Sequence, residues 1–330
     1  MAQNAPLRLG FLMFPGFPMA CLTSAIEPLR AANEITGRTE FEWRLVAERH
    51  APVRSSAEVR FEPDVTLADC AGLDHLYLLS PPTGRFADPR QGPARLRWLE
   101  RTGAVLGAFS GGIFPLARAG LMEGRGCSVH WCYEAAFKAE FPRVVASEAV
   151  ILRERRRITA SGAGAVFDLM LRLIEERLGR QCMIEVACWF QHPFVRDEDA
   201  SQNVPAGRSA STADRLPPAI RAAIRLFETH VEDPLRIPDV AAAVEMSGRH
   251  FERMFKRETG QSPLRYYRHL RLAKARQRVL YSSDPLTKIA ISVGYPSSGP
   301  MARHYAELYG VSPKAERRLQ SGLTGVQAAE

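Results

Sequence analysis

Up to about residue 190, short apolar runs alternate with longer segments in which apolar residues recur every three or four positions. Residues 7–14 (LRLGFLMF) form a strand-length apolar run, and helical spacing follows over residues 19–33. Phe41–Ala47 and residues 76–79 and 104–108 repeat the strand pattern, while residues 93–101 and 113–119 repeat the helical one. Strands buried on both faces read as continuous apolar runs, and strands separated by helices pair in parallel. The alternation therefore predicts an α/β unit, a parallel sheet covered on both faces. The run RERRR at 153–157, between Val150-Ile151 and Ile158-Thr159, predicts a hairpin tip, and residues 165–178 and 182–190 predict two amphipathic helices.

The pattern changes near residue 216, where strands give way to an all-α region containing one motif twice. From Asp239 the chain reads DVAAAVEMSGRHFERMFKRETGQSP, and from Lys288 it reads KIAISVGYPSSGPMARHYAELYGVSP. Val240, Ala241 and Val244 match Ile289, Ala290 and Val293 at an offset of 49, whereas Gly260, Ser262 and Pro263 match Gly310, Ser312 and Pro313 at an offset of 50. The extra residue falls between the two apolar segments, where a turn tolerates it. Each copy is a short apolar helix, a turn, a second helix and a Gly-x-Ser-Pro stop, the pattern of a helix-turn-helix. A long helix over Pro263–Tyr281 joins the two. Residues 191–215 (QHPFVRDEDASQNVPAGRSASTADR) are poor in apolar side chains and read as a linker. The expected organisation is a first domain over 1–190, a linker over 191–215, a double helix-turn-helix domain over 216–320 and a tail over 321–330.

Charge sharpens this picture. Residues 213–320 carry nineteen Lys and Arg against eleven Asp and Glu, which accounts for the whole formal net charge of +8 and leaves the rest of the chain balanced. A basic surface confined to the doubled motif implies a polyanionic partner, double-stranded DNA. On the second helix of the first unit, Ser247 is the expected N-cap. Arg249, His250, Glu252 and Arg253 then face outward, while Phe251, Met254 and Phe255 point inward. Arginine pairs with guanine and glutamate with cytosine in the major groove. Ser298, Arg303 and His304 are the candidates in the second unit. No apolar run reaches the roughly 20 residues needed to span a bilayer, and MAQNAPLRLGFLMFPGF lacks a secretory pattern. The expectation is a cytoplasmic protein with no membrane partner. The six cysteines then read as reduced thiols, and Cys127, His130 and Cys132 lack the second ligand pair of a zinc site. No metal and no cofactor are expected.

The sharpest feature of the first domain is AVLGAFSGGIFPLAR at 104–118. A buried strand ends at Phe109, Ser110 sits in the turn, and Gly111 and Gly112 open a helix. This is close to a nucleophile elbow, with Ala108 in place of the first glycine of G-x-S-x-G. Amides at such a helix start can bind a carboxylate or oxyanion.

Two resemblances follow. FERMFKRETGQSPLRYYRHLRLAKARQRVL, LTKIAISVGYPSS and YGVSP resemble the AraC/XylS family of bacterial transcription factors over about 216–318. The resemblance implies two helix-turn-helix units on one long helix. Glu245 stands where that family has a turn glycine, so the first turn is expected to differ. Gly299, Pro300 and Ala302 replace commoner polar residues, so fewer side chains reach bases in the second unit. Over about 7–190, FPGF, Glu27 in SAIEPLRAAN, Ser110 in AFSGG and LARAGLMEGRGCSVHW resemble the class I glutamine-amidotransferase-like, flavodoxin-like fold of the intracellular-protease group, as found fused to AraC-type regulators. In enzymes of that group the elbow residue is cysteine, with a histidine where His130 lies.

Here the elbow is serine, and the sequence names no clear group to orient His130, as a serine nucleophile's base requires. The expectation is a pocket that binds a small molecule without turning it over, with no catalytic residue. Glu27, Phe17, Ser110, Gly111, His130 and Trp131 are its expected lining, and Phe14 and Tyr133 add aromatic faces able to hold an alkylated ammonium. Regulators combining these domains respond to amino acids or to betaine- and carnitine-like compounds, so the resemblance implies a small nitrogen-containing effector. The expected protein is a ligand-responsive activator, with RNA polymerase and a second copy of itself as further partners. A serine or amidotransferase-like hydrolase with an accessory DNA-binding domain is the alternative that the same residues leave open.

Overall fold

A computed structural model of the chain describes residues 5–192, 200–202 and 216–325. The chain divides into two compact units, Met1–Gln202 and Asn203–Glu330. In the first, a seven-stranded sheet has β6 (His75–Leu79) at its centre, flanked by β7 (Val105–Phe109) and, on the other side, by β1 (Leu7–Met13) and then β2 (Phe41–Ala47). β5 (Val65–Thr66) closes one edge, and the hairpin of β10 (Ile151–Glu154) and β11 (Arg157–Ala160) closes the other. Every pairing in this sheet is parallel except that hairpin. Alternation along the strands sends Leu9, Phe11, Met13, Tyr77, Leu79 and Phe109 to one face, where they pack with α1 (Met19–Thr36) and with two later helices, Ala163–Leu178 and Arg180–Trp189. Between them lie the short β3 (Val53–Arg54) and β4 (Arg60–Phe61), α2 (Gln91–Arg101), a 3-10 turn at Ser110–Gly112, α3 (Ile113–Arg118), β8 (Gly126–Ser128), α4 (Glu134–Glu140) and β9 (Val145–Ser147). The two later helices are α5 and α6.

The RERRR run does turn a hairpin, but it is not a solvated tip throughout. Arg157 is 2% exposed, donates to Glu100 at 2.6 Å and to the Leu121 carbonyl at 3.2 Å, and so is a satisfied core residue. Two described stretches of the composition-defined linker also lie on the first unit. His192 bonds through Nε2 to the fully buried Asp168 of α5 at 2.8 Å, and residues 200–202 hydrogen-bond back onto the first unit.

The second unit holds α7 (Pro218–Thr229), α8 (Ile237–Ala243), α9 (Gly248–Thr259), α10 (Pro263–Tyr281), α11 (Leu286–Ser292), α12 (Ser298–Tyr309) and α13 (Pro313–Gly325). The repeat is visible atom by atom. Gly260 and Gly310 are left-handed C-caps at φ 74° and 70°, each donating its N–H to the carbonyl four residues back. Ser262 and Ser312 then accept from the N–H groups of Arg265 and Ala315, so each Gly-x-Ser-Pro ends one helix and starts the next. The inserted residue is Pro296, between Tyr295 and the second N-cap Ser297. Ser247 occupies the first N-cap position in extended backbone, but its side chain makes no cap hydrogen bond.

The first turn does not differ from the second. Glu245 adopts φ 57° and Gly294 φ 72°, and each donates its N–H three residues back, to Ala242 and Ile291. A non-glycine residue there costs about 1–2 kcal/mol. The exposed Glu245 meets nothing else, whereas a Cβ at Gly294 would stand 2.4 Å from Pro234 Cγ in the loop before α8. Gly294→Ala is therefore expected to destabilise the helical unit by about 2–4 kcal/mol, backbone strain and overpacking together. Glu245→Ala should change it by less than about 0.5 kcal/mol. Denaturant unfolding followed by helical circular dichroism checks this, and equal effects at the two sites would contradict the packing account.

Candidate nucleic-acid interface and sensing site

On α9, Phe251 and Phe255 are fully buried and Met254 is half-buried, which turns Arg249, His250, Glu252 and Arg253 to solvent. Arg249 and Glu252 have no side-chain partner among the described residues, and Arg253 meets His250 at 3.4 Å. Their donors and acceptors are available to base edges. At the repeat offset of 50, Arg303 on α12 is the counterpart of Arg253 and is equally exposed, while Gly299, Pro300 and Ala302 replace the other three. Ser298 is half-buried in the first turn of α12. His304 faces inward, with Nδ1 3.1 Å from the Tyr295 hydroxyl.

The structure adds a basic cleft that spacing alone did not single out. Ser262, Leu264, Arg265, Arg268, His269 and His304 line a cavity of about 380 Å³ between the start of α10 and α12, with Glu307 its one acid. Arg265 and Arg268 form no ion pair among the described residues. Burial, then these two arginines, push His269 below its ordinary pKa, which keeps it neutral near pH 7. Two arginines against a single acid leave the cleft net positive, the electrostatic mark of an anion site. The sequence signal was Arg265, Arg268 and His269 at i, i+3 and i+4.

In the first unit, the elbow is formed. Ser110 sits at φ 52°, a strained position for serine, and is 6% exposed. A Cβ at Gly111 would lie 2.4 Å from the Ser80 carbonyl oxygen, and one at Gly112 would lie 1.9 Å from that of Leu78. The end of β6 crosses against the turn, so both positions must be glycine. Among the described residues, nothing hydrogen-bonds the Ser110 hydroxyl.

His130 lies at the same edge of the sheet. β11 pairs with β7 through Ala160 and Phe109, so Ser161 and Gly162 run beside Ser110, and the imidazole edge rests on Gly162. Nδ1 accepts the Cys132 backbone N–H at 3.3 Å and faces the Cys132 thiol at 2.9 Å. A backbone amide can only donate, so in the neutral ring the proton is on Nε2. A triad base has the opposite arrangement, an unprotonated Nε2 and an Nδ1–H held by a carboxylate. His130 is therefore built to donate from Nε2. Half-buried Trp131 and Tyr133 stand around it at ring-centroid distances of 5.5 and 5.4 Å.

Two expected lining residues are elsewhere. Glu27 lies eight residues into α1, about 12 Å along the axis from the end nearest the elbow. Its carboxylate is 45% exposed and pairs with Arg30 at 3.0 Å. Phe17 is 0% exposed and packed edge-on against Phe61, and Phe14 is packed in the same way against Phe86. Both rings belong to the core, because the FPGF turn tucks them beneath the β3–β4 hairpin and the loop before α2. Among the described residues, no group of three His, Cys, Asp or Glu side chains could hold a metal ion, and no helix is long and apolar enough to cross a membrane.

An α/β sheet with a serine elbow, followed by two helix-turn-helix units on one helix, defines a class of regulator rather than a hydrolase fold alone. Residues 17–176 match the DJ-1/PfpI family and residues 240–319 a helix-turn-helix domain. The chain is 33% identical over 315 residues to the HTH-type transcriptional regulator GbdR of Pseudomonas aeruginosa, covering 96% of this chain and 85% of that protein. It is 31% identical over 318 residues to the HTH-type transcriptional regulator ArgR of the same species, covering 96% and 94%. To the HTH-type transcriptional regulator GlxA of Rhizobium meliloti it is 32% identical over 320 residues, covering 94% and 95%. A THiJ/PfpI family protein from Pseudomonas syringae, 21% identical, shares the fold at a TM-score of 0.51 over 73% of this chain and 90% of its own. The protein belongs to the family of transcriptional regulators that join a DJ-1/PfpI-type domain to an AraC-type DNA-binding domain.

Burial holds His130 below its ordinary pKa of 6.5, so the native state resists a proton that the unfolded chain accepts. Its stabilising contribution is complete above about pH 6.5 and is lost as the pH falls through that value toward the lower native one. The stability advantage of the parent over His130→Gln should therefore shrink between about pH 7 and pH 5, read from denaturant midpoints. An advantage that grows on acidification would contradict the neutral-donor assignment.

Proposed function

We propose that the protein is a non-catalytic, effector-controlled activator that reads DNA bases with α9 and α12 and senses a small zwitterionic metabolite at the His130 loop. The observation that carries the first half is the exposed, uncompensated Arg249, Glu252 and Arg253 on the second helix of a helix-turn-helix. This helix enters the major groove in such units. Arg303 repeats the key contact in the second unit, and two units on one helix span about 15–20 base pairs on one DNA face. The cleft of Arg265, Arg268 and His269 takes a backbone phosphate, a contact that positions without specifying. An activator so placed acts on RNA polymerase, and a second copy of the chain would double the site.

The effector half rests on the His130 loop. Nε2–H offers a donor to a carboxylate, and the Trp131 and Tyr133 faces suit an alkylated ammonium. This pairing fits an amino acid, a betaine or a carnitine-like compound, with the histidine rather than Glu27 selecting the charge pattern. Ser110, buried and without a base, supports binding over turnover. The domain pairing shared with named regulators supports the same reading.

Arg253→Ala should cost about 1–3 kcal/mol on a selected duplex and relax preference at one base position. Arg268→Ala should weaken selected and random duplexes alike and reduce the slope of log affinity against log salt by about one. Competition binding at several salt concentrations separates the two, and an Arg268→Ala variant that lost sequence preference would contradict the phosphate assignment.

A fluorophosphonate probe should leave Ser110 unlabelled, and Ser110→Ala should shift effector affinity by no more than one neutral hydrogen bond, about 0.5–1.5 kcal/mol. Stoichiometric labelling of Ser110 in the intact protein would overturn the non-catalytic reading.

A further inference from the structure

The last three described residues of the first unit, 200–202, lie against the sensing loop. The Val150 N–H donates to the Ala200 carbonyl at 2.8 Å, Ala149 and Ser201 form an antiparallel bridge, and the Gln202 N–H donates to the Glu148 carbonyl at 3.0 Å. Gln202 then reaches across the His130 loop with its side chain. Its Oε1 accepts the Trp131 N–H at 2.9 Å, and its Nε2 donates to the Val129 carbonyl at 2.8 Å. The two bonds straddle His130. A carboxamide carries donor and acceptor side by side without charge, so it can clamp a peptide segment through one N–H and one C=O. Gln202 is also the final residue of the first compact unit, and Asn203 begins the second.

We propose that Gln202 is a positioning residue that couples the effector loop to the covalent connection with the DNA-binding unit. The proposal rests on the reading of the His130 loop as the effector site. A ligand drawn onto His130 Nε2–H or the Trp131 ring pulls on a loop whose backbone Gln202 holds on both sides of the histidine. The loop can move only by carrying Gln202 with it or by releasing it. Either event changes how the chain leaves the first unit. The coupling is local and mechanical, carried by the two hydrogen bonds of Gln202 to the loop, and it supplies the differential contact that any population shift needs.

Two measurements on the full chain test it. The first uses no ligand. Hydrogen exchange is compared between the parent and His130→Ala, and the amides of Gln202 and Val150 should exchange several-fold faster in the variant, because disturbing the loop loosens the returning segment. Unchanged exchange at both amides would overturn the coupling whatever the effector proves to be.

The second uses glycine betaine, L-carnitine and L-arginine as probes, with a duplex selected by the parent protein. In Gln202→Ala, probe affinity by calorimetry should stay within about threefold of the parent, while the probe-dependent change in duplex affinity should fall to about twofold or less. Gln202→Glu, which keeps the acceptor for Trp131 and loses the donor to Val129, should be intermediate. Retained coupling in Gln202→Ala overturns the proposal, and so does a loss of probe binding by more than about tenfold, which would make Gln202 a support of the loop alone. If no probe binds the parent, the effector class in the functional reading fails, and the exchange measurement still decides the coupling.

Discussion

Arg271, midway along α10, ties the connecting helix to the second helix-turn-helix unit. Its guanidinium donates to the carbonyls of Val293 and Gly294 at 2.7 and 2.6 Å, the two backbone acceptors that the second turn leaves without helical partners, and it lies 4.6 Å over the Tyr295 ring. One turn earlier on the same face, the Tyr267 hydroxyl donates to the His230 carbonyl and accepts the Leu235 N–H, both in the loop that enters the first unit. One helix therefore fixes both units by satisfying backbone groups that would otherwise be buried unpaired. The guanidinium's planar fork suits two adjacent carbonyls in a way an ammonium cannot match. Gly294 completes the arrangement, since only a residue without Cβ lets Pro234 close over the second turn.

The two units keep one backbone shape while exchanging the chemistry that supports it. Phe255 and Tyr266 meet edge to face at 5.2 Å in the first unit. Their counterparts at an offset of 50 are Tyr305 and Glu316, which are joined by a hydrogen bond of 2.5 Å, with Arg276 on the same carboxylate. Aromatic packing and a charge-assisted network occupy the same place between the second helix of each helix-turn-helix and the helix that follows it. The repeat is thus a constraint on caps, turns and buried volume, and the contacts filling it are free to differ.

The first unit shows the same separation of shape from chemistry. The strained serine turn persists because β6 presses against Gly111 and Gly112, a packing condition independent of any reaction. Among the described residues no hydrogen bond reaches the Ser110 hydroxyl, and the Cys132 N–H occupies His130 Nδ1. A fold carries its elbow into proteins with other tasks, and function follows the side chains placed there.

Much of this was legible in the chain itself. Strands β1, β6 and β7 announced themselves as largely apolar runs, since strands covered on both faces have little polar side to show, and β2 (FEWRLVA) by its alternation. The doubled motif and its Gly-x-Ser-Pro stops specified C-cap, N-cap and helix start by residue type alone, and the orientation of Phe251, Phe255 and Arg253 followed from helical spacing. What local pattern cannot hold is the identity of a distant neighbour. Two- and three-residue strands such as β5, β8 and β9 are too short to show a period and exist only because an edge awaits them. Arg157 reads as a solvated charge until Glu100, 57 residues away, neutralises it in the core. Glu27 reads as a pocket acid until the rise of α1 carries it two turns along the helix, where it pairs with Arg30. Residues 200–202 read as linker until the exposed edge of residues 148–150 and the backbone of the His130 loop offer them hydrogen-bond partners. Sequence by itself determined the longer elements, the repeat and the exposed face of α9, because these depend on spacing within a few turns. Only the tertiary structure decided which charges are buried, that Glu27 pairs with Arg30, and that residues 200–202 pack on the first unit, because each of these depends on groups whose partners no local pattern names.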